Sequence, residues 1–178
     1  MKSRLRCLST LSLTFAGFLV SCGGGASVDT VGDTVPAAPK CAPAPRATCV
    51  GVDLVGADLH GLDLNGIDFR RANLTDANLA GTKFSHANFV GANLENADLT
   101  DAVGEWSTFD DANLQSAVFD RARLGSASLL RAKLAGTSFV GAFLTDATLE
   151  AASGEPNLAL AVLCNTTLPD GSIGAPKC

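Results

Sequence analysis

The 178-residue sequence has no tyrosine, one tryptophan, one methionine and two histidines. Aromatic residues make up 6%, which is low for a globular enzyme, and the 47% hydrophobic content is raised by alanine. There is no Cys-x-x-Cys pair, and His60 and His86 are the sole imidazoles, so a clustered metal site lacks its usual ligands. No nucleophile elbow, phosphate loop or metal motif occurs. The expectation is a chain with no catalytic residue, no metal and no cofactor. Long apolar runs are also missing. Cys7 to Val20 is uncharged and largely apolar, but too short to span a membrane as a stable helix.

What is present is a five-residue repeat running from Val52 to Ala151, twenty units without an insertion. The third position is Leu or Phe in nineteen units, and Gly104 is the exception. The first position is Ala fourteen times, and otherwise Val52, Leu62, Ile67, Thr82, Ser107 or Thr137. On an α-helix a step of five advances about 500°, so no apolar stripe forms. On a flat strand an odd step sends successive large residues to opposite faces. The set is buried only if the chain turns one corner per unit, with third positions pointing to a common axis and small first positions beside them. The remaining positions then face water. Second positions are mostly Asp, Asn, Ser, Thr, Lys or Arg, and fourth and fifth are mixed and Gly-rich. Stacked turns pair their backbones, as in any solenoid.

Ala72-Asn73-Leu74-Thr75-Asp76, Ala92-Asn93-Leu94-Glu95-Asn96 and Ala97-Asp98-Leu99-Thr100-Asp101 resemble pentapeptide-repeat proteins, whose motif is A(D/N)LXX. The resemblance implies an all-β fold, a right-handed quadrilateral β-helix with four units per coil and short terminal caps. Twenty units then make five coils, about 24 Å long at about 4.8 Å each. The core sorts into four columns: Leu54, Leu74, Leu94, Leu114 and Leu134; Leu59, Leu79, Leu99, Phe119 and Phe139; Leu64, Phe84, Gly104, Leu124 and Leu144; Phe69, Phe89, Phe109, Leu129 and Leu149. At about 1.5–3 kcal/mol for each buried Leu or Phe, this core is sufficient for an independent domain.

The amino-terminal end reads as an export signal, residues 1–21. Lys2, Arg4 and Arg6 precede the apolar run, which ends Leu19-Val20-Ser21-Cys22. This resembles the bacterial lipobox, and implies lipidation of Cys22 after cleavage. Several acyl chains give a stable anchor, and Gly23 rather than Asp after the Cys implies an outer membrane where the cell has two. Residues 22–48, rich in Gly, Ala and Pro, read as a flexible tether of about 30 Å. The β-helix is assigned to 49–151 and a cap to 152–178. Beyond Ala151 the repeat is expected to fail, because Gly154 and Ala159 fall on core positions. Asn157–Leu163 is a short apolar run, helix or strand, able to lie over the last coil, and Asp170-Gly171 marks a turn.

An exported protein with Cys41, Cys49, Cys164 and Cys178 suggests two disulfides, in one of three pairings. In the five-coil rod the first two lie at one end and the last two at the other, about 24 Å away, while a disulfide needs Cα atoms within about 7 Å. Cys41–Cys49 and Cys164–Cys178 are therefore expected.

Without Lys2, Arg4 and Arg6 the chain carries 10 basic and 18 acidic residues, net −8. Residues 92–111 hold Glu95, Asp98, Asp101, Glu105, Asp110 and Asp111 with no base, whereas 112–131 set Asp120 against Arg121, Arg123 and Arg131. An acidic belt beside a basic one could steer a partner; alternatively, Asp simply suits the second position. The carboxylates are spread around the shaft, not converging in a pocket as catalysis requires. The pattern breaks at Ala102-Val103-Gly104-Glu105-Trp106, where a core side chain is lost and the only Trp stands outward. Val103, Glu105, Trp106 and Phe143, with Asp98, Asp101, Asp110 and Asp111, are the candidate binding surface. Against it stands the reading that Phe84 moves into the Gly104 gap and Trp106 folds onto a neighbouring coil. The function expected is a non-catalytic envelope scaffold or protein-binding module, lipid-anchored, with an unidentified protein partner, no nucleic acid, and self-association through the carboxy-terminal cap. The resemblance also implies an alternative: an acidic rod that resembles DNA and binds a type II topoisomerase, protecting it from quinolones.

Overall fold

The computed structural model describes residues 41–174, and within them each unit turns one corner. The third-residue carbonyl accepts from the N–H of the next unit's first residue, as Leu54 does from Ala57 and Leu74 from Ala77, both at 3.0 Å. The fifth residue lies at positive φ in every unit from Gly56 to Ala151, between 54° at Trp106 and 71° at Gly136. That left-handed step is what the second central residue of a type II turn requires. It explains the Gly-rich fifth position, since glycine takes this conformation without a steric penalty.

The second position explains the rest of the motif. In ten units an Asp or Asn Oδ1 accepts the N–H two residues on, at 2.9–3.4 Å; Asp98 on Thr100 and Asp58 on His60 are examples. This side chain holds the corner by occupying a backbone donor that would otherwise face solvent. Asp and Asn recur there for a structural reason.

Each unit pairs in parallel with the unit 20 residues on, giving four ladders around the shaft. The first side runs Asp53, Asn73, Asn93, Asn113, Lys133, Ser153. The second runs Asp58, Asn78, Asp98, Val118, Ser138, Asn157. Asp63, Lys83, Val103, Arg123, Phe143 and Val162 form the third, and Thr48, Asp68, Asn88, Thr108, Ser128, Thr148 and Thr167 the fourth. The fold is the right-handed quadrilateral β-helix. Inter-coil bonds such as Leu74 N–H to Asn93 O (2.7 Å) run along the shaft.

Third-position side chains fill the axis; apart from Leu54 at 8% and Leu59 at 5%, those of residues 52–151 are fully buried. Six Phe rings pack as one aromatic seam. Phe89 stacks on Phe109 with centroids 4.6 Å apart, and Phe119 on Phe139 at 5.0 Å, joined by an edge-on Phe109–Phe119 contact. Buried first-position hydroxyls are all satisfied by carbonyls: Thr82 donates to Leu79, Ser107 to Gly104, Thr137 to Leu114 and Thr166 to Leu144. Leu62 is the exception among large first-position residues, 40% exposed in the opening coil.

Both ends extend beyond 52–151. Ala47–Gly51 is already a rung: Thr48 pairs with Asp68, and Cys49 is buried in the core column. Cys41 and Cys49 form a disulfide with Cα atoms 5.2 Å apart, stapling this end. At the other end the expected failure of the repeat is corrected. The ladder continues through Asn157, Val162 and Thr167, now paired 19 residues back. One residue is lost in Ala152–Glu155, where Gly154 at φ +91° lets the chain cut the corner. Asn157–Leu163 is thus part of a sixth coil, with no helix. The chain then doubles back at Asp170-Gly171, pairing Ile173 antiparallel to Thr167, with Leu168 N–H donating to Ser172 O at 2.7 Å. That hairpin covers one rung of an edge that would otherwise offer unpaired backbone. The signal segment, Cys22, residues 22–40 and Cys178 lie outside the described residues; Cys164 is buried.

Candidate binding side

The third side departs chemically from the others. After Asp63 its ladder carries Lys83, Val103, Arg123, Phe143 and Val162, with no Asp or Asn. Phe143 is 50% exposed. Beside it lies a surface cleft of about 370 Å³ lined by Glu105, Arg123, Gly125, Phe143 and Thr145. Glu105 and Phe143 are thus brought together, and Val103 shares Phe143's ladder two rungs away. Arg123 was singled out only as part of the basic belt, and Gly125 and Thr145 were missed by sequence reasoning, though they lie one and two coils from Glu105.

Trp106 sits at the adjoining corner, 55% exposed, and its ring lies flat on His86 one coil back, with centroids 5.2 Å apart and planes 5° apart. It does not line the cleft. The break at Gly104 is filled from inside. A methyl group built at Gly104 would overlap the Phe84 ring, which packs edge-on against Phe89 at 5.4 Å and Phe109 at 5.9 Å.

The acidic and basic belts meet each other. Asp101 pairs with Arg121 through two bonds of 2.7 and 2.8 Å, Asp111 with Arg131 through two of 2.8 Å, and Glu105 with Arg123 at 3.2 Å. Asp110 accepts from the Ser128 hydroxyl and from Leu130 N–H, while Asp98 holds its own corner. Of the five acidic candidates, none stands as a charge without a neighbour in the chain. The Arg121 and Arg131 guanidiniums hold the Asp101 and Asp111 carboxyls below their usual range by hydrogen bonding. A carboxyl with a lowered folded-state pKa stabilises the fold above its unfolded value, and that contribution is lost as pH falls through the folded one. Thermal melts are therefore expected to be level from pH 8 to about 5 and to decline below about pH 4. The Arg121→Gln/Arg131→Gln variant should show a shallower acid decline. An identical acid limb in that variant would exclude these pairs as its cause.

Among the described residues no group of three or more His, Cys, Asp or Glu is placed to hold a metal ion, and no helix is long and apolar enough to cross a membrane. At the last coil Leu160 is 85% exposed and Ile173 56%.

Four ladders of single-residue rungs around one shaft define a β-solenoid. The profile described as Pentapeptide repeats matches residues 53–89 and 87–125, in eight copies. Among solved structures, the pentapeptide-repeat protein alr5209 from Nostoc PCC 7120 is 34% identical, covering 46% of this chain and 70% of its own, with a TM-score of 0.31. Rfr23 from the cyanobacterium Cyanothece 51142 is 22% identical over 72% of this chain and 91% of its own, with a TM-score of 0.39. QnrB1, a plasmid-mediated fluoroquinolone resistance protein, is 18% identical over 70% and 73%, with a TM-score of 0.32. No curated protein matches. The chain belongs to the pentapeptide-repeat family.

Proposed function

We propose that this protein is a non-catalytic, lipid-anchored scaffold of the bacterial cell envelope that presents its third side to a protein partner. The observation carrying the partner surface is the composition of one ladder. The other three sides carry Asp or Asn turned back onto their own corners in two or more coils, whereas beyond Asp63 the third has none and presents Val103, Phe143 and Val162 in line. Apolar side chains rimmed by Arg123 and Glu105 have the anatomy of a binding patch. The anchor is supported by the sequence alone, through Leu19-Val20-Ser21-Cys22 behind a basic amino terminus. Exposed Leu160 and Ile173 support self-association through the last coil.

The reading as a topoisomerase-binding rod is less well supported. A DNA-like surface needs uncompensated negative charge along its length, and the most acidic coil has Arg121, Arg123 and Arg131 directly beneath it. The test is fatty-acid labelling and fractionation of cells carrying the wild-type chain or Cys22→Ala. Label and membrane attachment that both depend on Cys22 are expected. An unlabelled, uncleaved chain in the cytosol would overturn the proposal and restore the topoisomerase reading.

A further inference from the structure

At each corner the fourth residue's N–H points outward, and at most corners the protein's own answer to it is an oxygen from a carboxylate or amide. Asp and Asn supply that oxygen in ten units from two residues before. At three more corners it comes from the preceding coil: Asn65 accepts from Ser85 N–H, Asp110 from Leu130 and Asp120 from Val140. Glu150 N–H meets the Thr148 hydroxyl, and on other sides Asp110, Asp120 and Ala135 stand with no acceptor. On the third side this provision stops. The residues two before Glu105, Gly125 and Thr145 are Val103, Arg123 and Phe143, none of which brings an acceptor. The N–H groups of Glu105, Gly125 and Thr145 consequently have no protein acceptor, on three consecutive coils about 4.8 Å apart. No other side has three in a row among the described residues.

These three residues are also the ones that, with Arg123 and Phe143, line the 370 Å³ cleft. Gly125 forms its floor; a methyl group there would meet Thr145 O at 3.8 Å and Glu105 Cγ at 4.0 Å, so the absent side chain is what opens the space. Arg123 spends only one nitrogen, Nη2, on Glu105, leaving further donors of its planar fork directed outward.

We infer that this cleft binds an acidic protein segment, a partner's Asp or Glu carboxylate taking the place that Asp and Asn Oδ1 atoms occupy on the other sides. One oxygen reaches each of two neighbouring N–H groups, the Arg123 donors not spent on Glu105 take up the carboxylate, and an apolar side chain adjoining it packs on Phe143. The column of amides orients the carboxylate without charge of its own; Arg123 makes the site prefer an anion to a neutral amide. The inference rests on the reading of the third side as the partner surface and names the chemistry that surface recognises.

The test is an amide-resolved NMR titration of the full chain carrying Cys22→Ala, with a capped peptide of alternating Glu and Leu. Its Gln/Leu counterpart and inorganic phosphate serve as the comparison probes. Saturable downfield shifts at Glu105, Gly125 and Thr145 are expected with the Glu/Leu peptide, and at least tenfold weaker binding of the Gln/Leu peptide. Arg123→Glu should weaken binding at least tenfold. So should Val103→Asn/Phe143→Asn, which installs internal acceptors for Glu105 and Thr145. Val118→Asn makes the same chemical change on the second side and should leave binding intact. Equal saturation by phosphate, shifts spread evenly over all four ladders, or equal loss in Val118→Asn would each overturn the inference. A photo-crosslinker at Val162 in cells separates the two levels. A partner captured there while the peptide fails sinks only the carboxylate; no partner and no peptide binding removes the third side as a binding surface.

Discussion

Gly104→Leu, which restores the repeat's own rule, is expected to destabilise the protein by about 3 kcal/mol. The space the rule reserves for a side chain is already taken by the Phe84 ring. That ring has nowhere to retreat, because Phe89 and Phe109 hold it edge-on from the next column. Phe84→Ala is expected to cost about 3–5 kcal/mol, since Gly104 offers nothing to collapse into the void. The two positions should therefore be strongly coupled. Phe84→Leu with Gly104→Leu recreates two ordinary rungs, and should recover at least half the loss of Gly104→Leu alone. A double-mutant cycle read by thermal melting checks this. Additive costs would mean that Phe84 and Gly104 do not share one volume.

Gly154→Ala should have an equally large but local effect. The added methyl would lie 2.5 Å from Ala135 N and 2.7 Å from Ala135 Cα, backbone atoms of the coil beneath that cannot swing aside. The φ of +91° is itself unfavourable for an L residue with a Cβ. Strain and overlap together should exceed about 3 kcal/mol. Because each coil of a solenoid contacts only its neighbours, the loss should stay at the end. Hydrogen exchange is expected to accelerate at Asn157, Val162 and Thr167 while Leu74 and Phe89 remain protected. Uniform acceleration along the rod would show a single cooperative unit instead.

The parts of this structure visible in the sequence are those set by period. Five-residue spacing places Leu94 and Phe109 on the axis whatever the details, because no other path buries them. The same spacing continues past Ala151 under a shift of phase. Leu158, Leu163 and Leu168 lie five apart, but one lost residue at Gly154 puts them out of phase with the units before. Counting forward from Val52, Gly154 and Ala159 fall on the core and the coil looks finished; counting back from Leu168, it does not. The charged belts were visible as composition, whereas their pairing depends on the 20-residue register that brings Asp101 to Arg121 and Asp111 to Arg131. Phe143 marks the third side in the sequence as an outward exception, while Trp106 stands at the corner beside it. The cleft is not legible there, because it is defined by outward backbone donors that only the folded corner reveals to be left without an oxygen from Val103, Arg123 or Phe143.

The 20-residue register also makes the rod a ruler. With four equal sides and bonds that run along the shaft, one further coil inserted between Ala72 and Ala92 would move everything beyond it by about 4.8 Å without turning it. Distance can thus be changed in whole steps while Val103, Phe143 and Val162 keep facing the same way. A protein built like this can lengthen its shaft in whole coils by gene duplication alone, keeping the same side of each added coil in line.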